Sequence, residues 1–184
     1  RPDEAVDQMK LATELDPLSV RISADLRMAM LAAGKYDDAI RQEVKTMQLD
    51  SNARSPYWIR GMAYQQKKMP DEAIKDYREA VKRAPDNPNF LAALGNIYAS
   101  TGNKAEAKQI IDTLIKQNKE YPVPFFIALV YAGLNDKQNA IKWLQKACDE
   151  RSGSVRYLKM EPRLNNVRDD PRYSLLMKKV GLEK

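Results

Sequence analysis

The sequence contains no histidine, and its 184 residues include a single cysteine, Cys148. A zinc site built from histidine and cysteine, a disulfide within the chain and acid–base catalysis by histidine are therefore excluded. The longest uncharged stretch, residues 121–135, has 15 residues, whereas a membrane-spanning helix needs about 20. Glycine is also scarce, with seven residues against 43% hydrophobic residues, which argues against a disordered chain.

Positive charge is unevenly distributed along the chain. The formal net charge is +6, and residues 151–184 alone hold nine Lys or Arg and four Asp or Glu, a net charge of +5. The rest of the chain is therefore nearly balanced. A nucleic-acid-binding array spreads its basic residues along one face, so we do not expect this chain to contact nucleic acid.

The motifs that carry chemistry are missing from the sequence. It has no phosphate-binding glycine loop, nucleophile elbow or cluster with metal-ligand spacing. Paired acids at positions 37–38, 71–72 and 169–170 fall at predicted helix starts, where negative charge interacts favourably with the helix dipole. We therefore predict that this chain is not an enzyme and has no catalytic residues, no cofactor and no metal site.

What the sequence does contain is a repeat. An alanine recurs with a period of about 34 residues, at Ala5, Ala39, Ala73, Ala107 and Ala140. Within each interval, apolar residues at helical spacing predict two helices of about 13 residues. Gly34 and Gly102 predict turns between paired helices. Such units bury their apolar faces only by stacking on one another.

This period and register resemble the tetratricopeptide repeat (TPR) family over essentially the whole chain. The resemblance implies an all-α fold, a right-handed TPR superhelix of about four and a half helical hairpins with a C-terminal capping helix. The segments are expected at residues 1–19 (the second helix of a truncated repeat), 20–53, 54–87, 88–120 and 121–152 (TPR units) and 153–184 (the capping segment). Because the first unit has only its second helix and the sequence opens on Arg1, we expect that the chain was cut from a longer protein.

The C-terminal segment predicts one further helix. Asp170 followed by Pro171 is typical of a helix start. The residues after this pair form one apolar stripe at positions i, i+3, i+4 and i+7: Tyr173, Leu176, Met177 and Val180. A solenoid needs its open end covered, and this helix fits that task.

The ending also resembles a bacterial branch of the family. Similar endings close TPR regions fused to winged-helix transcriptional regulators, serine/threonine protein kinases and class III nucleotide cyclases. The residues that carry this likeness are Tyr157, Leu158, Lys159, Pro162, Leu164, Arg168, Asp170, Pro171, Arg172, Tyr173, Leu176 and Gly181. The resemblance implies a C-terminal sensory or scaffolding part of a signalling or transcription-regulating protein. The chain would be cytoplasmic or, if a transmembrane helix lies upstream, extracytoplasmic.

TPR arrays present their first helices on a concave groove, and the resemblance implies a peptide or protein partner there. Carried over position by position, the groove residues are Arg21, Met28, Trp58, Met62, Gln65, Asn89, Asn96 and Phe125. As an alternative, Trp58 and Phe125 pack between adjacent hairpins. We do not expect binding of a chaperone's C-terminal carboxylate, because Ala92 stands where that site has a lysine.

Two positions depart from the family pattern. Glu43 and Arg60 stand where the pattern has bulky apolar residues, in slots that face each other between neighbouring repeats. One hypothesis pairs the two charges across this seam. The other lets both long side chains reach solvent.

The sequence leaves a second function open beside peptide binding. The array could instead associate with itself as a homodimer and so control an upstream kinase, cyclase or DNA-binding domain. In a third interpretation the whole protein is an enzyme, and this part regulates it.

Overall fold

The computed structural model describes residues 2–17, 19–49, 55–119 and 123–182. These residues form ten α-helices and two short 3₁₀ helices, and no strand occurs among them. The predicted all-α fold is therefore confirmed. The chain divides into two compact units, Arg1–Arg83 and Ala84–Lys184.

The first unit consists of five helices. They are α1 (Pro2–Leu15), α2 (Val20–Ala32), α3 (Tyr36–Leu49), α4 (Ser55–Gln66) and α5 (Pro70–Arg83). Helix α2 contacts α1, α3 and α4, and α4 also contacts α3 and α5. One buried cluster joins α1, α2 and α3 through Val6, Leu26, Met30 and Ala39. This contiguous apolar packing is what keeps otherwise marginal single helices folded.

The second unit continues the helical order. Its elements are α6 (Pro88–Ser100), α7 (Lys104–Gln117), α8 (Pro124–Gly133), α9 (Lys137–Asp149), the 3₁₀ helices η1 (Gly153–Tyr157) and η2 (Pro162–Val167), and α10 (Pro171–Lys179). Helix α6 contacts α7 and α8, and α8 also contacts α9. Every residue of α6 from Phe90 to Ala99 is buried. This helix is central to the unit, since an amphipathic surface helix would expose one face.

Four hairpins turn in the same way. The second residue after each first helix has a left-handed backbone: Gly34 (φ 71°), Lys68 (φ 59°), Gly102 (φ 88°) and Asn135 (φ 57°). The N–H of the next residue then donates to a carbonyl in the last turn of the helix, from Lys35 to Met30 at 2.9 Å and from Met69 to Tyr64 at 3.0 Å. This hydrogen bond satisfies a carbonyl that the helix end leaves open.

The repeated alanines mark close contacts between helices. Ala39, Ala73, Ala107 and Ala140 are all 0% exposed, whereas Ala5 is exposed. Gly61 serves a similar purpose on α4, since a Cβ there would lie 2.7 Å from the ring of Tyr77. Small residues at these points allow a large one such as Tyr77, itself 0% exposed, to fill the space between two helices.

The ending is more elaborate than the single helix that the sequence predicts. Helix α10 starts at the expected Asp170–Pro171 pair, and the Asp170 side chain accepts from the N–H of Arg172. The two 3₁₀ helices before it were not predicted. They fold against α8 and α9, with Leu158, Leu164 and Val167 each 0% exposed. The Tyr173 hydroxyl donates to the carbonyl of Leu158 at 2.7 Å and ties α10 to η1.

Candidate peptide-binding surface

In the first unit, five of the predicted groove residues lie on two helices in contact. Arg21 and Met28 belong to α2, and Trp58, Met62 and Gln65 belong to α4. Arg21 is exposed, Met28 is 42% exposed, and the three residues on α4 are partly exposed. Met28 and Met62 are one repeat period apart and occupy the same position in successive repeats.

Two of these side chains also contribute to the interior. The Gln65 side chain accepts a hydrogen bond of 2.8 Å from the hydroxyl of buried Tyr77. The Trp58 ring is partly exposed while its Nε1 atom is buried. Trp58 therefore has both a packed edge and an accessible part, which suits a peptide anchor and a packing residue alike.

In the second unit, the structure places two of the three predicted groove residues in the interior. Asn96 on α6 is 4% exposed, and its amide donates to the carbonyl of Leu129 on α8 at 2.8 Å. Phe125 on α8 is 2% exposed and lies edge-on to Phe126, with ring centroids 5.9 Å apart. Asn89 is partly exposed at the start of α6.

Gly133 explains how closely α8 approaches α6. A Cβ on Gly133 would lie 2.8 Å from the backbone oxygen of Asn96 and 2.9 Å from its side-chain nitrogen. The amide of Asn96 thus bonds α6 to α8 at a point where only glycine fits. Asn96 has a structural role in this arrangement, and a buried amide of this kind is costly to leave unpaired.

The hypothesis that Glu43 pairs with Arg60 is wrong, and so is the alternative that both reach solvent. Glu43 is 0% exposed, and its Oε1 atom lies 2.8 Å from Nε of Arg27. Arg60 instead binds Asp76 through two hydrogen bonds of 2.6 Å. Each pair joins the first and second helix of one hairpin, not two neighbouring repeats.

Both ion pairs have the same spacing in the sequence. Arg27 precedes Glu43 by the same number of positions as Arg60 precedes Asp76. This shared spacing, from one helix to the facing position on the next, is the signal that could have identified both pairs.

The two pairs differ in quality. The Arg60–Asp76 contact is bidentate, which is the strong geometry for a guanidinium and a carboxylate. In the Arg27–Glu43 pair the charges are close, but among the described residues neither carboxylate oxygen of Glu43 receives an aligned hydrogen bond. Burial raises the pKa of Glu43 from 4.5 to about 7, although the charges of Arg27 and Arg60 lower it.

The described residues offer neither a metal site nor a membrane-spanning helix. They contain no group of three or more His, Cys, Asp or Glu placed to hold a metal ion. They also contain no helix that is both long and apolar enough to cross a membrane.

Comparison with known proteins identifies the repeat. Two family models, each described as tetratricopeptide repeat, match residues 64–123 and residues 125–152. No curated protein matches the chain.

Several solved structures share the fold. A thermophilic TPR protein of Thermus thermophilus is 16% identical, with 97% of this chain and 91% of that chain covered and a TM-score of 0.67. MamA is 24% identical, with coverages of 85% and 92% and a TM-score of 0.56. YrrB, a TPR protein with an unusual peptide-binding site, is 15% identical, with coverages of 95% and 91% and a TM-score of 0.54. The chain therefore carries tetratricopeptide repeats and has the TPR-like solenoid fold that its sequence predicts.

Proposed function

We propose that this chain is a non-catalytic scaffold that binds a peptide or protein partner along the first helices of its repeats. The TPR fold supports a protein–protein interaction scaffold, and TPR proteins are generally not catalysts. One observation carries the proposal: α2 and α4, which are in contact, present Met28 and Met62 at equivalent positions, with Met28 42% exposed. Exposed methionines are adaptable anchors for apolar side chains.

The chemistry of the surface indicates the kind of peptide. Two methionines and the accessible part of Trp58 offer apolar contact, and exposed Arg21 offers a positive charge at the start of α2. A peptide with apolar side chains and an acidic residue suits this surface. The proposed surface consists of Arg21, Met28, Trp58, Met62 and Gln65 of the first unit. In the second unit Asn89 remains a candidate, whereas Asn96 and Phe125 do not, because both are buried.

YrrB, which shares the fold, is a TPR protein with a peptide-binding site, and this supports a peptide as the kind of ligand.

We test the proposal with a charge placed on the surface. Peptides selected from a displayed random library against the whole chain would be measured by calorimetry with three proteins: the unaltered chain, Met28→Glu and Val44→Glu. Val44 is the matched control, because it is a similarly exposed apolar residue (38%) on α3, a second helix. Met28→Glu should weaken binding by roughly tenfold or more, and Val44→Glu should leave it unchanged. Equal affinity of all three proteins for the peptides would show that the peptides do not bind at this surface.

The proposed setting is the C-terminal regulatory part of a larger bacterial signalling or transcription-regulating protein. The resemblance of the ending supports it. Several residues that carry this likeness, including Leu158, Leu164 and Tyr173, are buried and hold the ending together. Sequencing the complete reading frame tests the setting: an upstream winged-helix, kinase or cyclase domain supports it, and a complete frame without one contradicts it.

Self-association is a second candidate that one observation favours. Leu11 and Leu15 are 51% and 80% exposed, and they lie one helical turn apart on one face of α1. Light scattering across about a hundredfold range of protein concentration measures the molecular mass and distinguishes self-association from binding of a foreign peptide, because only self-association raises the mass with concentration. A constant mass near 21.0 kDa would exclude self-association. A doubled mass that Leu11→Glu and Leu15→Glu return to that of the monomer would support it.

A further inference from the structure

We propose that a cleft between α10 and the turns that follow η1 and η2, outside the repeats, binds an acidic segment of a partner protein. The cleft has a volume of about 180 Å³ and is lined by Lys159, Arg168, Tyr173, Ser174 and Met177. Two of the five lining residues are cations, and none is an acid. The floor is partly apolar, because Tyr173 and Met177 are buried core residues of α10.

The acids of this segment that the structure describes already have partners. Glu161 is held by Arg163 at 2.7 and 2.8 Å, Asp169 by Lys137 at 2.8 Å, and Asp170 by Arg172 at 2.7 and 2.9 Å. Several cations form no ion pair with a carboxylate among the described residues: Arg151, Arg156, Lys159 and Lys178. Arg168 forms no direct ion pair either, although its charge acts on nearby Glu161. The positive surplus seen in the sequence is therefore located on the surface of this segment.

Arg168 is fixed in position at the cleft. Its Nη2 atom donates to the carbonyl of Lys159 at 2.9 Å and to that of Glu161 at 3.2 Å. Because these bonds use one nitrogen, the guanidinium keeps other donors, and an incoming carboxylate would not have to order a mobile side chain. Lys159 is exposed beside it and supplies a second charge.

Apolar surface at the cleft favours a peptide as the source of the acid. Met160, which is 72% exposed, follows the cleft-lining Lys159 in the sequence, and Tyr173 and Met177 form the partly apolar floor. A peptide with an apolar side chain next to an acidic one would cover this surface while its carboxylate enters the cleft. A free anion would leave it exposed, and a flat bilayer surface would not fill a recess.

The test uses the whole chain and a defined probe. The probe is a short fluorescein-labelled peptide that alternates glutamates with leucines, and its counterpart has glutamine at every glutamate. In fluorescence anisotropy at low salt, we expect the acidic peptide to bind at least about tenfold more tightly than the glutamine peptide. Raising the salt concentration should weaken this binding, because the contacting charges are exposed.

Variants place the binding at the cleft. Lys159→Gln should weaken the acidic peptide about threefold to tenfold, and Lys159→Glu should weaken it further. Lys142→Gln is the matched control, since Lys142 is an exposed lysine on α9 and its loss changes the net charge equally. All of these proteins carry Met28→Glu, because the surface on α2 and α4 also suits a peptide with apolar and acidic residues and must not contribute to the measured binding. Circular dichroism would show that each variant is folded.

Four results would overturn the proposal. The first is equal binding of the two peptides, and the second is equal affinity of the Lys159→Gln and Lys142→Gln proteins for the acidic peptide. The third is displacement of the peptide by an equimolar amount of inorganic phosphate. The fourth is a Lys159-dependent affinity for vesicles of phosphatidylcholine and phosphatidylglycerol without affinity for the peptide. The third would assign the cleft to small anions, and the fourth would assign it to a lipid surface.

Discussion

At the scale of single residues, the buried charges of the first unit are the most consequential feature. The carboxylates of Glu43 and Asp76 are almost fully buried, and each forms an ion pair with an arginine from the preceding helix. A buried pair adds little net stability compared with apolar packing, but removal of one partner leaves an uncompensated charge in the interior. The arginines are therefore the sensitive positions.

Arg60→Met should destabilise the chain by about 3 kcal/mol, because Asp76, with a side chain only 3% exposed, loses its bidentate partner. The measurement is urea unfolding followed by circular dichroism. Arg41→Met is the control, since Arg41 has a side chain 68% exposed and binds Asp38 at the surface, where such a pair contributes about 1 kcal/mol or less. Equal losses for the two variants would contradict a structural role for the buried pair.

The raised pKa of Glu43 predicts how stability depends on pH. Below pH 4.5 the carboxyl is protonated in both states, and it does not distinguish them. Between 4.5 and about 7 the folded chain keeps a proton that the unfolded chain releases, so the contribution of Glu43 to the unfolding free energy falls as pH rises. Above about 7 both states are ionised, and the contribution becomes constant.

The free energies of unfolding of the unaltered chain and of Glu43→Gln, measured from about pH 5 to 8, should reveal this titration. The unaltered chain should lose stability relative to the variant up to about pH 7. The absence of histidine leaves few other groups that titrate in this range. Asp170→Asn is the control and should give a constant difference, because the hydrogen bond from Arg172 lowers the pKa of Asp170 to about 2 and this carboxylate is ionised throughout the range. A constant difference for Glu43→Gln as well would mean that Arg27 keeps this carboxylate ionised throughout.

At the scale of elements, the hairpin turns repeat one geometry with different residues. Lys68 and Asn135 adopt the left-handed backbone that Gly34 and Gly102 adopt without a Cβ. Asparagine tolerates this region through its short polar side chain, whereas lysine is strained there. The packing of the two helices sets the backbone geometry of the turn. The residues at the left-handed position differ in how much strain this geometry imposes on them.

Lys68→Gly should therefore stabilise the chain by up to about 1 kcal/mol, because it relieves the left-handed strain between α4 and α5. Thermal unfolding measures the effect. Lys75→Gly, at an exposed position within α5, should have the opposite sign and cost about 1 kcal/mol, because glycine is unfavourable inside a helix. Destabilisation by Lys68→Gly would show that the lysine side chain contributes more than the backbone strain costs.

At the scale of the whole molecule, apolar burial is unequal among the helices. Helix α6 is buried along ten successive residues, and α8 has seven buried residues. Helix α1 has Val6 buried but exposes Leu11 and Leu15. Local opening requires less free energy where fewer apolar contacts are lost.

Amide hydrogen exchange followed by mass spectrometry should accordingly be slowest in α6 and α8 and fastest, among the α-helices, in α1. Peptides of α9 provide an internal comparison of intermediate burial, with five buried residues. Protection of α1 equal to that of α6 at low protein concentration would contradict this order. Protection that rises with concentration would instead support self-association through its exposed leucines.

The sequence by itself determined the helices, the repeat and the start of α10. The alanine that recurs in each repeat and the apolar residues at helical spacing depend on local geometry, and a pattern in the chain reports local geometry directly. Only the tertiary structure decided that Arg27 and Asp76 are the partners of Glu43 and Arg60, and that Asn96 and Phe125 are buried. Periodicity places a residue on a face of its helix, but its partner and its exposure depend on which other helix covers that face and how closely that helix packs. Asn96 is an example, because Gly133 allows α8 to pack directly against it.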